Sequence, residues 1–158
     1  IMIEQIYTYF TVEMIYLWLN IGIIPFWLML IFLPQSNIAR LIVRSIFPIF
    51  LLTLVYGYLI FRFYYSDYEF SKSFALYLSF ENLMDLFLVK EFLILFWIHF
   101  LTINLFCGSW IVSDAEKLNM NKYIVTLPLI ITYFVGPIGL FVYWFVRIFF
   151  ARRMSLYD

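Results

Sequence analysis

Between Phe92 and Val112 the chain reads FLILFWIHFLTINLFCGSWIV, twenty-one residues without a formal charge. About 20 apolar residues in a helix cross the hydrocarbon core of a bilayer, so this stretch alone points to lipid as the protein's solvent. Taken with the mixed segment before it, the run extends over about 83–112. Three other runs share its character: about 6–33, ending at Pro34-Gln35-Ser36-Asn37; about 38–63, with Arg40 and Arg44 in its first turns; and about 123–150, closing on Arg152-Arg153. None shows the alternation of a membrane β-strand. The expected fold is all-α, a single polytopic transmembrane domain over 1–158 built as a four-helix bundle with proline-kinked helices.

Composition agrees. Of 158 residues, 66 % are hydrophobic and 24 % aromatic, and 13 % are charged; mean hydropathy is +0.97. Soluble domains are roughly 45–50 % apolar and about 25 % charged. A soluble domain of this size could not hide 20 Phe, 13 Tyr and 5 Trp, because much of its surface stays exposed. These figures exclude a soluble enzyme, a nucleic-acid binder and a disordered linker. Ten Lys+Arg balance ten Asp+Glu, so nothing suggests DNA or an anionic substrate as partner. The lone Cys107 rules out an intrachain disulfide and a Cys-rich metal cage; no metal and no cofactor are expected. The first apolar run is too long, and lacks the basic lead, for a cleavable signal peptide.

The connectors are short. In 64–82, Phe70, Phe74, Tyr77 and Leu78 recur at helical spacing, which reads either as a short interfacial helix or as an aromatic-rich loop. Four spans place both ends of the chain on one side with that connector. That side collects Arg62, Lys72, Lys90, Arg147, Arg152 and Arg153, against Arg40, Arg44, Lys117 and Lys122 on the other. Six cations against four favour cytoplasmic termini, and the expected setting is a bacterial inner membrane.

Any function must sit on the few polar groups inside the runs, since each costs free energy unless it faces protein or water. Tyr9, Glu13, Tyr16, Asn20 and Trp27 form a heptad-like stripe expected to face the bundle interior. It is read either as interhelical glue or as the polar wall of a ligand cavity. At 100° per residue, His99, Ile103, Phe106, Trp110 and Asp114 share one face, while Asn104 groups with Trp97, Gly108 and Ile111. His99 is a natural proton carrier near neutral pH, or else a satisfied hydrogen-bonding group. Pro25, Pro48 and Pro137 each remove an amide donor inside a run, and Gly136-Pro137-Ile138-Gly139 is the sharpest break. Such breaks open gaps that a ligand or Thr132 can use, or let helices approach closely.

One resemblance is specific. Trp97-Ile98-His99-Phe100-Leu101-Thr102-Ile103-Asn104-Leu105-Phe106-Cys107-Gly108-Ser109-Trp110, followed by Asp114, resembles the W-x-H-x-L-x-x-D-L-F-x-G-x-W…D signature of the abscisic-acid-deficient-4-like family. Leu127-Pro128, Gly136-Pro137-Ile138-Gly139-Leu140, Tyr143 and Arg147 resemble its P…T-x-x-x-G-P-x-G-L-x-x-Y-x-x-x-R run, and Asn20, Pro25, Trp27 and Pro34 its first helix. The likeness covers nearly the whole chain and is loosest over 64–89. It implies a four-span membrane protein of plastids and bacteria, linked in plants to converting violaxanthin into neoxanthin by opening an epoxide to an allene. Such a step needs an acid and a base. His99 is the first candidate, with Glu13 or Asp114 as partner; Asn20, Asn104, Trp110, Trp27, Tyr133 and Pro137 are candidates for lining a ligand. The family's Asp is here Asn104, which cannot act as acid or base.

Two functions are therefore expected to compete. One is the binding or isomerisation of a carotenoid or other isoprenoid. The other is a non-catalytic small subunit or assembly factor, with a membrane-complex partner or a homo-oligomer as its setting.

Overall fold

The computed structural model describes residues 10–66 and 68–151, and among them every element is a helix. The helices are α1 (Val12–Phe32), α2 (Asn37–Ile42), α3 (Phe47–Tyr64), α4 (Phe70–Ser73), α5 (Phe80–Phe87), α6 (Lys90–Lys117), α7 (Lys122–Phe134) and α8 (Gly136–Ala151), with a 3₁₀ turn at Phe74–Tyr77. Tyr9, the opening of the first expected run, and Arg152-Arg153 lie outside the described residues. Three helices, α1, α3 and α6, are long and apolar enough to cross a membrane, with 21, 18 and 28 residues.

The chain divides into two compact units, Ile1–Ile23 with Leu51–Leu101, and Ile24–Phe50 with Thr102–Asp158. In the first unit, the Thr11 hydroxyl oxygen accepts from Met14 N at 3.2 Å and caps the start of α1. Arg62 donates to the Phe10 carbonyl. The 64–82 connector is one α-turn, one 3₁₀ turn and the start of α5, where Ser79 Oγ accepts from Asn82 N at 3.1 Å. Phe74, Tyr77, Leu78 and Phe80 are all exposed, which suits the headgroup layer. The expected third span does not run unbroken from Leu83. Helix α5 ends at Phe87, and α6 starts afresh at Lys90.

In the second unit, Ser36 caps α2 by accepting from Ala39 N at 3.0 Å, and the chain turns through Val43–Ile46 before α3. The second expected span is thus a one-and-a-half-turn helix plus α3. Pro48 and Pro137 kink nothing: each is the second residue of its helix, where a missing amide donor costs little. Pro25 and Pro128 do lie inside helices, α1 and α7.

The largest departure from expectation is at the end of the chain. The 123–150 run is not one helix. Val135 adopts φ −141°, ψ 81° and separates α7 from α8. At about 1.5 Å per residue, 13 and 16 residues make roughly 20 and 24 Å, each short of the ~30 Å core. The two helices fold back on each other. Gly139 lies against Thr132, and a Cβ there would overlap Thr132 Oγ1, N and Cα. Thr132 Oγ1 in turn donates to the Pro128 carbonyl at 2.7 Å. Matching pairs fix the direction of α8: Gly136 meets Asn104, Tyr143 meets Trp110 and Arg147 meets Asp114. Positions rise together on both helices, so α8 runs parallel to α6, and α7–α8 is a hairpin whose tip reaches only to the level of Asn104.

The turn that launches the hairpin is built locally. Met120 N donates to the Ala115 carbonyl at 2.9 Å and Asn119 N to that of Glu116 at 3.1 Å, with Asn119 at φ 51°. This is a Schellman ending with Asn in the left-handed position, a residue that tolerates it. Asn121 Oδ1 then accepts from Tyr123 N at 3.0 Å to cap α7.

Candidate functional site

The most elaborate polar cluster among the described residues joins α6 to α8. Arg147 Nε donates to Asp114 Oδ2 at 2.6 Å and Arg147 Nη2 to Oδ1 at 3.2 Å. Tyr143 OH donates to Asp114 Oδ2 at 2.7 Å and lies 3.8 Å from Met120 Sδ. Arg147 is 2 % exposed, Asp114 7 % and Tyr143 0 %. A planar guanidinium meets a carboxylate with two parallel bonds, and a phenol completes the set. Burying the two charges is expensive, so each depends on the other being present. Trp110 stands edge-on to Tyr143 at 5.7 Å.

Below this cluster lies an apolar and amide layer. Trp27, 3 % exposed, packs edge-on against Tyr133 at 5.4 Å. Gly108 makes room for it, since a Cβ there would sit 2.8 Å from Trp27 Cη2. The Asn104 carboxamide presses on Gly136 at the start of α8, and its Nδ2 is buried without a hydrogen-bond partner. Above the cluster, Glu116 gathers Arg44 Nη1 at 2.5 Å and Arg40 Nη1 at 3.5 Å. Arg44 Nε also donates to Ser113 Oγ at 3.1 Å.

The candidate residues separate accordingly. Asp114, Trp110, Trp27, Tyr133 and Asn104 form this packed region of the second unit, and Pro137 stands exposed at the hairpin tip. Glu13 and His99 belong to the first unit, and both are exposed. Glu13 does not face an interior. It accepts from Lys90 Nζ at 3.0 Å, in the first turns of α1 and α6. Tyr16 is likewise exposed and lies 5.7 Å from Trp97. Asn20 Nδ2 donates to the Tyr16 carbonyl at 2.7 Å, a bond within its own helix. The shared face of His99, Ile103, Phe106, Trp110 and Asp114 is covered only in part. Ile103 and Phe106 are exposed, Trp110 is half-buried and Asp114 buried.

The acid–base possibilities narrow as a result. Both oxygens of Asp114 are engaged, which makes it an anchor between helices. The sequence also concealed the pairing with Arg147. Four spans set those two residues on opposite faces of the membrane, whereas a hairpin brings them to one. The sequence shows only that Arg147, ten residues past Val135-Gly136-Pro137, needs a counter-charge, and not which residue supplies it.

The described residues of unit one line three open grooves. The first, about 680 Å³, is lined by Phe10, Ile15, Trp18, Leu19, Leu54, Val55 and Tyr58. A second, about 500 Å³, lies beneath the Glu13–Lys90 pair, and a third, about 460 Å³, lies along the connector, where Glu69, Lys72, Asn82 and Asp85 give it a polar edge.

Spanning helices, exposed aromatics and a buried Asp–Tyr–Arg anchor define an all-helical membrane protein. Within that class the family can be stated: residues 14–143 match the family model described as ABA DEFICIENT 4-like, and the chain belongs to that family. Asp114 and Tyr143 fall inside the matched stretch, and Arg147 four residues beyond it. No curated protein and no solved structure matches the chain.

Proposed function

We propose that the protein binds a carotenoid or another long isoprenoid from within the bilayer, in the groove between α1 and α3. The observation that supports this is the lining: all seven described residues around about 680 Å³ are apolar or aromatic. A rigid polyene brings only apolar length and loses little conformational entropy on binding, so an aromatic wall such as Trp18 and Tyr58 suits it. Binding is favoured over isomerisation because Asp114 is committed to Arg147 and Tyr143, while Glu13 is committed to Lys90.

The test is mass spectrometry of pigments retained by the protein after gentle purification from a carotenoid-producing host. Retained isoprenoid that is lost on filling the groove with Leu54→Trp supports the reading; a colourless wild-type protein without isoprenoid sinks it. A second reading, as a subunit of a larger membrane complex, draws on Ile103 and Phe106, exposed on α6 within the second unit. It gains if the wild-type protein elutes only with partners.

The bilayer arrangement belongs to the same proposal: α1, α3 and α6 cross, and α7–α8 enters and returns. Arg40, Arg44, Lys117, Lys122 and Arg147, all in the second unit, gather where α6 ends, and their positive charge supports the cytoplasm of a bacterial inner membrane on that side.

A further inference from the structure

The Glu13–Lys90 pair gains little from its own geometry. The two side chains are 66 % and 75 % exposed, and solvent screens such a pair so that it adds little to stability. Its place is more informative. Glu13 is the second residue of α1 and Lys90 the first of α6, so both charges stand where two spanning helices enter the bilayer. Directly beneath them, Val12, Tyr16, Leu93, Ile94 and Trp97 line a groove of about 500 Å³. Tyr16 and Trp97 pack together at the depth where aromatic side chains favour the interface. The indole Nε1 of Trp97 is buried with no hydrogen-bond partner.

We propose that this groove is a site for a phospholipid with a zwitterionic primary-ammonium headgroup, drawn from the surrounding leaflet. One carboxylate and one ammonium, 3.0 Å apart, complement a headgroup that itself carries an ammonium and a phosphate. Lys90 takes the phosphate, Glu13 accepts hydrogen bonds from the lipid ammonium, and an acyl chain lies along Val12, Leu93 and Ile94. The chemistry sets the selectivity. A quaternary ammonium has no N–H to donate to Glu13, and an anionic headgroup without an amine leaves the carboxylate facing like charge. This site is separate from the α1–α3 groove and stands or falls independently of the isoprenoid reading.

The experiment places the whole protein in nanodiscs of phosphatidylethanolamine, phosphatidylcholine and phosphatidylglycerol in equal parts, and counts retained lipids by native mass spectrometry. Phosphatidylethanolamine is expected to exceed each of the others by about fivefold, the scale of one charge-assisted hydrogen bond made or lost at an exposed site. Glu13→Gln removes its advantage over phosphatidylcholine, and Lys90→Gln lowers retention of all three. Leu93→Trp fills the groove and lowers phosphatidylethanolamine retention with both charges intact. Arg40→Gln, a charge change in the other unit, leaves the preference as it was. All four positions are exposed, and helicity by circular dichroism verifies that each variant is folded. Retention of the three lipids in equal proportion by the wild type overturns the proposal, as does a preference that survives Glu13→Gln.

Discussion

Arg147 grips Asp114 with both ends of its guanidinium fork, at 2.6 and 3.2 Å, in a site almost closed to solvent. Removing one partner deprives the other, buried charge of its bidentate bonds. Arg147→Met and Asp114→Leu are each expected to destabilise the protein by about 3–5 kcal/mol, measured by denaturant unfolding in detergent micelles. The double variant should recover most of that loss, because an apolar pair replaces a buried ionic one. Additive losses in the double variant would show that the pair is not the source. Tyr143→Phe deletes only the third bond and should cost about 1.5–3 kcal/mol.

Gly139 has Thr132 where a side chain would be, whereas Gly22 and Gly57 have nothing within 4 Å. Gly139→Ala must therefore push α7 and α8 apart and destabilise by several kcal/mol, as overpacking does at about 1–3 kcal/mol or more per site. Gly22→Ala and Gly57→Ala lie in helices α1 and α3 and should stabilise by up to about 1 kcal/mol. The same unfolding measurement compares all three, and equal responses would contradict the close approach.

A hairpin and a fourth span differ in where the chain emerges. In a Cys107→Ser background, cysteines at Asn119 and Ala151 should react with a membrane-impermeant thiol reagent from the same side of oriented vesicles. Reaction from opposite sides would mean that α7 and α8 form one crossing.

His99 stands on an exposed stretch of α6, where an imidazole facing lipid is unfavourable. His99→Leu is expected to leave thermal stability unchanged or raised, and isoprenoid retention unchanged. Loss of retained pigment in this variant would restore His99 to the binding or catalytic machinery.

What the sequence made legible follows from what hydropathy measures. Phe92–Val112 contains no charge over a bilayer's length, and it forms the heart of α6. The run 123–150 satisfies the same length criterion, yet a hairpin of two short helices fits it equally well. Hydropathy counts residues and does not register a reversal. The reversal rests on the backbone at Val135 and on the space at Gly139, neither of which alters mean apolarity. Glu13 was misassigned for a related reason. Periodicity tells which residues share a face, but not what lies opposite that face, and opposite Glu13 stands the exposed Lys90. Asn20 bonds the Tyr16 carbonyl of its own helix, a local option that face periodicity does not register. The Asp114–Arg147 pair became readable only once the hairpin was known.

The return at Val135 also bears on how the protein is made. A fourth crossing would have to carry Arg147 and the charges after it through the hydrocarbon, at about 2.5–3.5 kcal/mol for an arginine at the centre. In the proposed arrangement the hairpin takes neither Lys122 nor Arg147 across: both stay where α6 ends, and the apolar tip from Val135 to Pro137 is what enters deepest. Arg147 then reaches Asp114 without crossing the hydrocarbon.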